Sequence, residues 1–263
     1  MTGKSIMSEK AIQPKRVLVT GSTGAIGEPV AQHLLSRGHT VRGFARRPSP
    51  GLEDYVVGDL SDQDAVRRAV EGMEVVIHLG AYPNDADFLS VLLEPNVRGL
   101  YHICDAAREF KVERLSLAST MQTVTGHGWP MRPIRIEEGP APVNHYALTK
   151  VWAEDMGDMM ARVHGLSVIN VRIGWLPRNP GEADRLKASP IGPDCFFSHA
   201  DAQRFYERVV ESPNPVPGES VTVFATSRPA QTERMELEPA RRILGYEPQD
   251  VWPNGLNYDY SLA

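Results

Sequence analysis

Apolar positions recur along the chain with two periods that trade places. Arg16-Val-Leu-Val-Thr20 is a short β-branched run, the pattern of a buried strand. Beyond it Ile26, Val30, Ala31, Leu34 and Leu35 fall on one helical face, and Gly38 ends that helix. Pro29 is compatible with it because a first helical turn needs no N–H there. The exchange then repeats. Thr40–Ala45 and Tyr55–Val57 predict strands, Ser61-Asp-Gln-Asp64 resembles a capping box opening a helix to about Val70, and Glu74–Leu79 predicts a fourth strand. Phe88–Phe110 is helical with Pro95 starting or kinking a helix inside it. Glu113–Ala118, Tyr146–His164 and Leu166–Val171 predict strand five, a long helix and strand six.

Strands that alternate with long crossovers imply a parallel sheet covered on both faces, and right-handed connections make it doubly wound. The expected fold is therefore an α/β doubly wound (Rossmann) core over residues 16–175. After Gly174 the rhythm breaks, because Pro177, Pro180, Pro190, Pro193, Pro213, Pro215 and Pro217 cut the chain into short pieces. Residues 176–263 are read as a small substrate cap and tail packed over the carboxyl ends of the strands. Residues 1–15 are read as a disordered leader. The aromatic stretch Trp252–Tyr260 is expected to dock on the body or on a second subunit.

Composition narrows the partners. The 263 residues carry a formal net charge of −5, which leaves no basic surplus for phosphate backbones and argues against nucleic acid. No apolar run reaches the ~18 residues that suggest a membrane span. Met1–Lys15 lacks the apolar region of a signal peptide, and two cysteines exclude a disulfide scaffold, so a cytoplasmic protein is expected. Cys104 reads as helix core, and Cys195 beside Phe196-Phe197 as packing. His33, His39, His102, His127, His145 and His164 show no ligand spacing, so no metal is expected.

Glycines at 21, 24 and 27 lie between a strand and a helix. Gly21 permits the tight turn, Gly24 admits a pyrophosphate close to the backbone, and Gly27 lets helix and strand pack closely. With Thr23, Ala25 and Ile26 they frame a dinucleotide loop, whose helix N-terminus offers N–H groups and a partial positive charge to phosphates. The second strand ends at Ala45, where an acidic residue would bind the ribose hydroxyls of NAD. Arg46 and Arg47 follow instead. They are read as 2′-phosphate ligands favouring NADP over NAD, the alternative being solvated surface charges. Asp59-Leu60 is placed to meet the adenine, and Leu79, Gly80 and Ala81 to pass beneath the nicotinamide ribose, unless both are strand-end turns.

Tyr146 and Lys150 are four residues apart on one predicted helix, so they share a face. A neighbouring ammonium favours phenolate, which would bring Tyr146 toward neutrality as a general acid or base. Ser119 and Thr120, at the end of strand five, lie on the same rim, where a hydroxyl would bond a substrate oxygen.

Thr20-Gly-Ser-Thr-Gly-Ala-Ile-Gly27, Asp59-Leu60, His78-Leu-Gly-Ala81, Asn96, Ala118-Ser-Thr120 and Tyr146-Ala-Leu-Thr-Lys150 together resemble the extended short-chain dehydrogenases/reductases, the NAD-dependent epimerase/dehydratase group. Pro95–Tyr101, Asp105–Arg108, Arg172-Ile-Gly174 and Ala240–Asp250 are most similar to uronate dehydrogenases. The resemblance implies that Tyr146 is the acid/base, that Lys150 lowers its pKa and holds the nicotinamide ribose, and that Thr120 replaces the usual serine, with Ser119 as second choice. It implies that Asn96 positions the lysine or the helix, and that the chain forms a homodimer. Departures touch the substrate side. Pro83, Met121-Gln122 and Trp175 stand where those relatives have polar residues, and Arg178 or Arg185 is the candidate carboxylate ligand. Met121, Trp129 and Trp175 then point to a less polar ligand, or to ordinary cap packing.

The expected activity is hydride transfer between a nicotinamide and a carbinol or carbonyl carbon of a small molecule, with Met121, Gln122, Tyr146, Trp175 and Arg178 around the substrate. Sugar-nucleotide epimerisation is the alternative within the same family, although the 88 residues beyond Trp175 are few for a nucleotide lobe. A dehydratase is disfavoured because Met121-Gln122 stands where such lyases carry Asp-Glu. A non-catalytic dinucleotide sensor is the alternative of another class, one that would have no need of Tyr146 and Lys150.

Overall fold

The computed structural model describes residues 13–260; most of the expected leader, residues 1–12, lies outside the described residues. Seven strands form one sheet: β1 (Arg16–Thr20), β2 (Thr40–Ala45), β3 (Asp54–Val57), β4 (Val75–His78), β5 (Arg114–Thr120), β6 (Ser167–Ile173) and β7 (Ser220–Ala225). Their order is β3-β2-β1-β4-β5-β6-β7, and every pairing is parallel. The order reverses direction between β1 and β4, which opens a crevice at the carboxyl ends of those two strands.

Side chains alternate across the strands and divide the core in two. Val17 and Val19 of β1 face α1 (Gly27–Ser36) and α6 (His199–Glu211), packing with Val30, Leu34, Phe205 and Val209. Leu18 faces the other way, toward α2 (Gln63–Val70), α3 (Gly99–Glu109) and α4 (His145–His164). The helix over 88–110 has two parts. Its first stretch, Phe88–Arg98, winds with wide turns and contains Pro95, which has no N–H to give the ladder; α3 follows directly. Helix α2 begins one residue later than the capping-box pattern suggests. Asp62 is the cap, accepting from the Ala65 N–H at 3.0 Å, while Ser61 turns back to Asp59.

The largest departure lies in the proline-rich third. It was read as a cap, yet it supplies β7 and α6 to the doubly wound core, with Val168–Ile173 of β6 in register with Ser220–Ala225. From this third, α5 (Pro180–Ala188) and the loop before it reach the cleft at the strand ends through Leu176, Arg178, Glu182 and Arg185. The tail docks on the body. Trp252 meets Phe196 edge-on at 5.0 Å, and the Tyr258 hydroxyl donates to the carbonyls of Pro177 and Asn179. Among the described residues no helix is long and apolar enough to cross a membrane.

Candidate active site

A cleft of about 1560 Å³ runs along the carboxyl ends of the strands, from the glycine loop and the end of β2 to the loops that follow β5 and β6. Gly21 turns with φ +67°, and its N–H donates to the Phe44 carbonyl at 2.8 Å. A side chain at Gly27 would drive its Cβ into the Gly21 carbonyl. The N–H groups of Ala25 and Ile26, at the head of α1, meet no acceptor among the described residues, and both residues line the cleft. Paired donors are the rule for backbone, so free donors beside a cradle too tight for side chains fit a phosphate-bearing ligand.

At the β2 end, Arg46 and Arg47 line the cleft together with Asp59 and Leu60. The Arg47 guanidinium donates to the Thr23 carbonyl at 3.2 Å and so braces the loop. Arg46 is exposed and lies close enough to Asp59 to help hold its carboxyl below the ordinary range, after the bonds from Ser61. The floor is locked from below. Gly80 N–H donates to Thr20 Oγ1 at 3.0 Å, and that hydroxyl bonds His78 Nδ1 at 2.8 Å. Burial, then the Lys150 charge, push His78 down to about 3, so it stays neutral and serves the scaffold. Asn96 does not reach the cleft lining. Its Nδ2 donates to the Tyr82 carbonyl and Thr149 Oγ1, and its Oδ1 accepts from the Tyr82 N–H, so it ties the loop after β4 to α4.

Asn144 caps α4 by accepting from the Ala147 N–H at 2.7 Å, and the helix presents Tyr146 and Lys150 to the cleft. Thr120 lies close enough to Tyr146 for its hydroxyl to pull the phenol's pKa down, and its Oγ1 accepts from the Gln122 N–H at 3.2 Å. The Lys150 ammonium lies 5.8 Å from the Tyr146 ring centroid, and no acceptor takes a hydrogen bond from its Nζ among the described residues. An unpaired ammonium on the cleft wall fits ligand hydroxyls. Burial works against an acidified phenol in the protein by itself. Burial pushes Tyr146 up to about 12 against the smaller pulls of Thr120 and Arg178, and burial also brings Lys150 down to about 8. The pair shares a face as its spacing requires, and burial dominates the titration of both.

Ser119 also lines the cleft, but its hydroxyl is committed to a buried carboxylate. It lies on the opposite side of β5 from Thr120, and its Oγ donates to Glu154 Oε1 at 2.5 Å. Glu154 also receives Arg172 Nε at 2.9 Å and Nη2 at 2.8 Å, forming a buried pair that binds α4 to β5 and β6 beneath the site. The sequence reading passed over Glu154, although it follows Lys150 by one helical turn.

Met121, Gln122, Trp129 and Trp175 line the other end of the cleft. Met121, Trp129 and Trp175 also join a small apolar cluster with Val124, Ile134 and Phe224. Gln122 is turned by Asn144, whose Nδ2 donates to its Oε1 at 2.9 Å. Arg178 lines the cleft, but Glu182 holds it; that pair was missed although the i, i+4 spacing and the Asn179-Pro180 helix start announce it. Cys104 and Cys195 are buried, each pushed up to about 12 by burial, and act as packing.

A crevice with a phosphate cradle at one end and a tyrosine–lysine rim at the other defines a dinucleotide-binding α/β protein. The chain belongs to the NAD dependent epimerase/dehydratase family, whose model matches residues 17–176. It is 30% identical over 251 residues to the L-arabinose 1-dehydrogenase (NAD(P)(+)) of Haloferax volcanii, covering 89% of this chain and 96% of that one. A uronate dehydrogenase of Pseudomonas syringae pv. tomato is 29% identical over 76% of this chain and 70% of its own. Among solved structures, the glucuronic acid dehydrogenase of Chromohalobacter salexigens matches with TM-score 0.78 and 25% identity, over 92% of this chain and 86% of that one. The uronate dehydrogenase of Agrobacterium tumefaciens, solved in complex with NAD, matches with TM-score 0.76 and 25% identity, over 90% and 86%.

Proposed function

We propose that the chain is an NAD(P)-dependent oxidoreductase acting on a carbinol or carbonyl carbon of a small sugar-like molecule. The observation that carries this reading is one cleft lined by the glycine cradle, the Lys150 ammonium, Tyr146 and Thr120. The curated relatives act in the same sense by name, on L-arabinose and on uronates.

In this reading the head of α1 and Gly21, Gly24 and Gly27 hold the pyrophosphate, and Lys150 holds the nicotinamide ribose. When bound, the nicotinamide supplies hydride acceptance and donation. The protein's residues manage the proton. Tyr146 Oη gives it to a carbonyl oxygen in reduction and takes it from a carbinol in oxidation. Thr120 Oγ1 shares the same substrate oxygen and fixes its direction. Burial keeps the phenol protonated at neutrality, so Tyr146 holds the proton that reduction needs. Oxidation requires that the proton first leave, aided by the adjacent lysine.

NADP is the preferred cofactor in this proposal. Arg46 is exposed beside the cleft, Ala45 offers no carboxylate to a ribose, and Arg47 is committed to Thr23. The reading also includes a cytoplasmic homodimer. Leu89, Tyr101 and Leu148, on the segment before α3, on α3 and on α4, are 72%, 50% and 51% exposed and offer an apolar face.

The test is cofactor reduction with a panel of aldoses, uronates and simple alcohols, using NADP and NAD. Oxidation of a carbinol with matching cofactor reduction is expected. A sugar converted with no net cofactor change would make the chain an epimerase, and cofactor bound but never turned over would make it a sensor.

A further inference from the structure

Arg178 lies between β6 and α5, on the wall of the same cleft as Tyr146, and its charge reaches that phenol. A guanidinium so placed is the natural partner of a substrate carboxylate, which it meets through a planar fork. Here one edge of the fork, Nε with Nη2, is already filled. Nε donates to Glu182 Oε1 and Oε2 at 2.9 and 3.0 Å, and Nη2 donates to Oε1 at 2.5 Å. The Arg178 N–H adds a third donor to the same carboxylate, at 2.9 Å.

Glu182 is fixed where it stands. It occupies the first turn of α5, where the helix dipole favours a negative charge. Its own N–H is taken by Asn179 Oδ1 at 3.0 Å, and the residue is 8% exposed. Burial opposes its ionisation, but the bonds and charge of Arg178, with Arg185, outweigh that and hold the carboxyl below the ordinary range. Arg185 lies 3.7 Å away, and its side chain is 70% exposed. An incoming anion would therefore meet an Arg178 already bonded to a fixed carboxylate, and one solvated arginine. Met121, Trp129 and Trp175 line the same region and suit the C–H faces of an uncharged ring.

We infer that Glu182 is a built-in counter-ion that occupies the Nε/Nη2 edge of Arg178 and offsets its charge, so that the site selects neutral hydroxyl compounds over sugar acids. The inference rests on the oxidoreductase reading for its kinetic arm, and on binding alone for its second arm.

The experiment compares L-arabinose with D-glucuronate in wild-type protein, Glu182→Gln, and Glu182→Gln with Arg178→Gln. For turnover, wild type is expected to favour the neutral sugar by about 10-fold or more in kcat/KM. Glu182→Gln is expected to raise kcat/KM for glucuronate by about 10-fold relative to arabinose, and the added Arg178→Gln to erase that gain. For binding, the fluorescence of Trp129 and Trp175 is titrated with each sugar. Glucuronate is expected to bind Glu182→Gln about 10-fold more tightly than wild type. Wild type that oxidises or binds glucuronate as well as arabinose overturns the inference, and does so even if the variants fail to fold. If neither sugar is oxidised, the kinetic reading fails separately and the titration still decides: a gain confined to Glu182→Gln supports the counter-ion, and equal affinities overturn it.

Discussion

The two ends of the cleft are built from different materials. Around the glycine loop the wall is backbone: Gly21 with its positive φ, the N–H groups of Ala25 and Ile26 that meet no acceptor among the described residues, and Gly80 bonded to Thr20. Around Tyr146 the wall is side chain: Met121, Gln122, Trp175 and Arg178, carried by loops after β5 and β6. Backbone geometry is fixed by the sheet itself, so the first end cannot change without disturbing β1 and α1. The second end can be rebuilt one residue at a time. Cofactor binding is therefore tied to the fold, and substrate choice is nearly independent of it.

Gly27→Ala should break the first end outright. Its Cβ has no room against the Gly21 carbonyl, so α1 must move away from β1. A loss of about 3 kcal/mol or more is expected, with dinucleotide binding abolished; thermal melting and a cofactor titration read both. Binding at wild-type strength would show that the loop is not held by packing.

Lys150→Met separates function from stability. The folded pKa of about 8 lies below the ordinary 10.5, so the unfolded chain binds more protons between those values. Stability therefore rises with pH through that window, and below it the buried ammonium costs about 3 kcal/mol. The variant should lose turnover yet melt about 5 to 10 °C higher at pH 7, the gain vanishing above about pH 10.5. A variant that melts lower at pH 7 would mean the ammonium is stabilised by its surroundings.

Arg46→Ala should have the smallest effect. It removes one exposed charge, so NADP affinity should fall about 5- to 10-fold at low salt, with NAD nearly unchanged. Equal losses for both cofactors would leave Arg46 without a role in reading the 2′-phosphate.

The contrast between the two ends also governs what was legible in the sequence. The glycine spacing and the Tyr146–Lys150 step are geometric rules of a turn and a helix, and both residues of the pair line the cleft. Strand β7 escaped because prolines at 213, 215 and 217 precede it and no motif follows it. Thr120 and Ser119 were inseparable until β5 was seen to run through both, since adjacent strand residues point to opposite sides. The raised phenol pKa was illegible for another reason: spacing conveys proximity, whereas burial depends on the loops packed above the helix. Glu182 belongs to the same class, since its i, i+4 step to Arg178 was visible and the cleft around it was not.

The central claim is that the Tyr146 hydroxyl moves the proton in a cleft that binds a dinucleotide without its help. Turnover and cofactor dissociation constant measured together on Tyr146→Phe test it most directly. The account predicts turnover reduced at least ~100-fold with the dissociation constant within about 3-fold of wild type. Turnover retained within about 10-fold of wild type would contradict it.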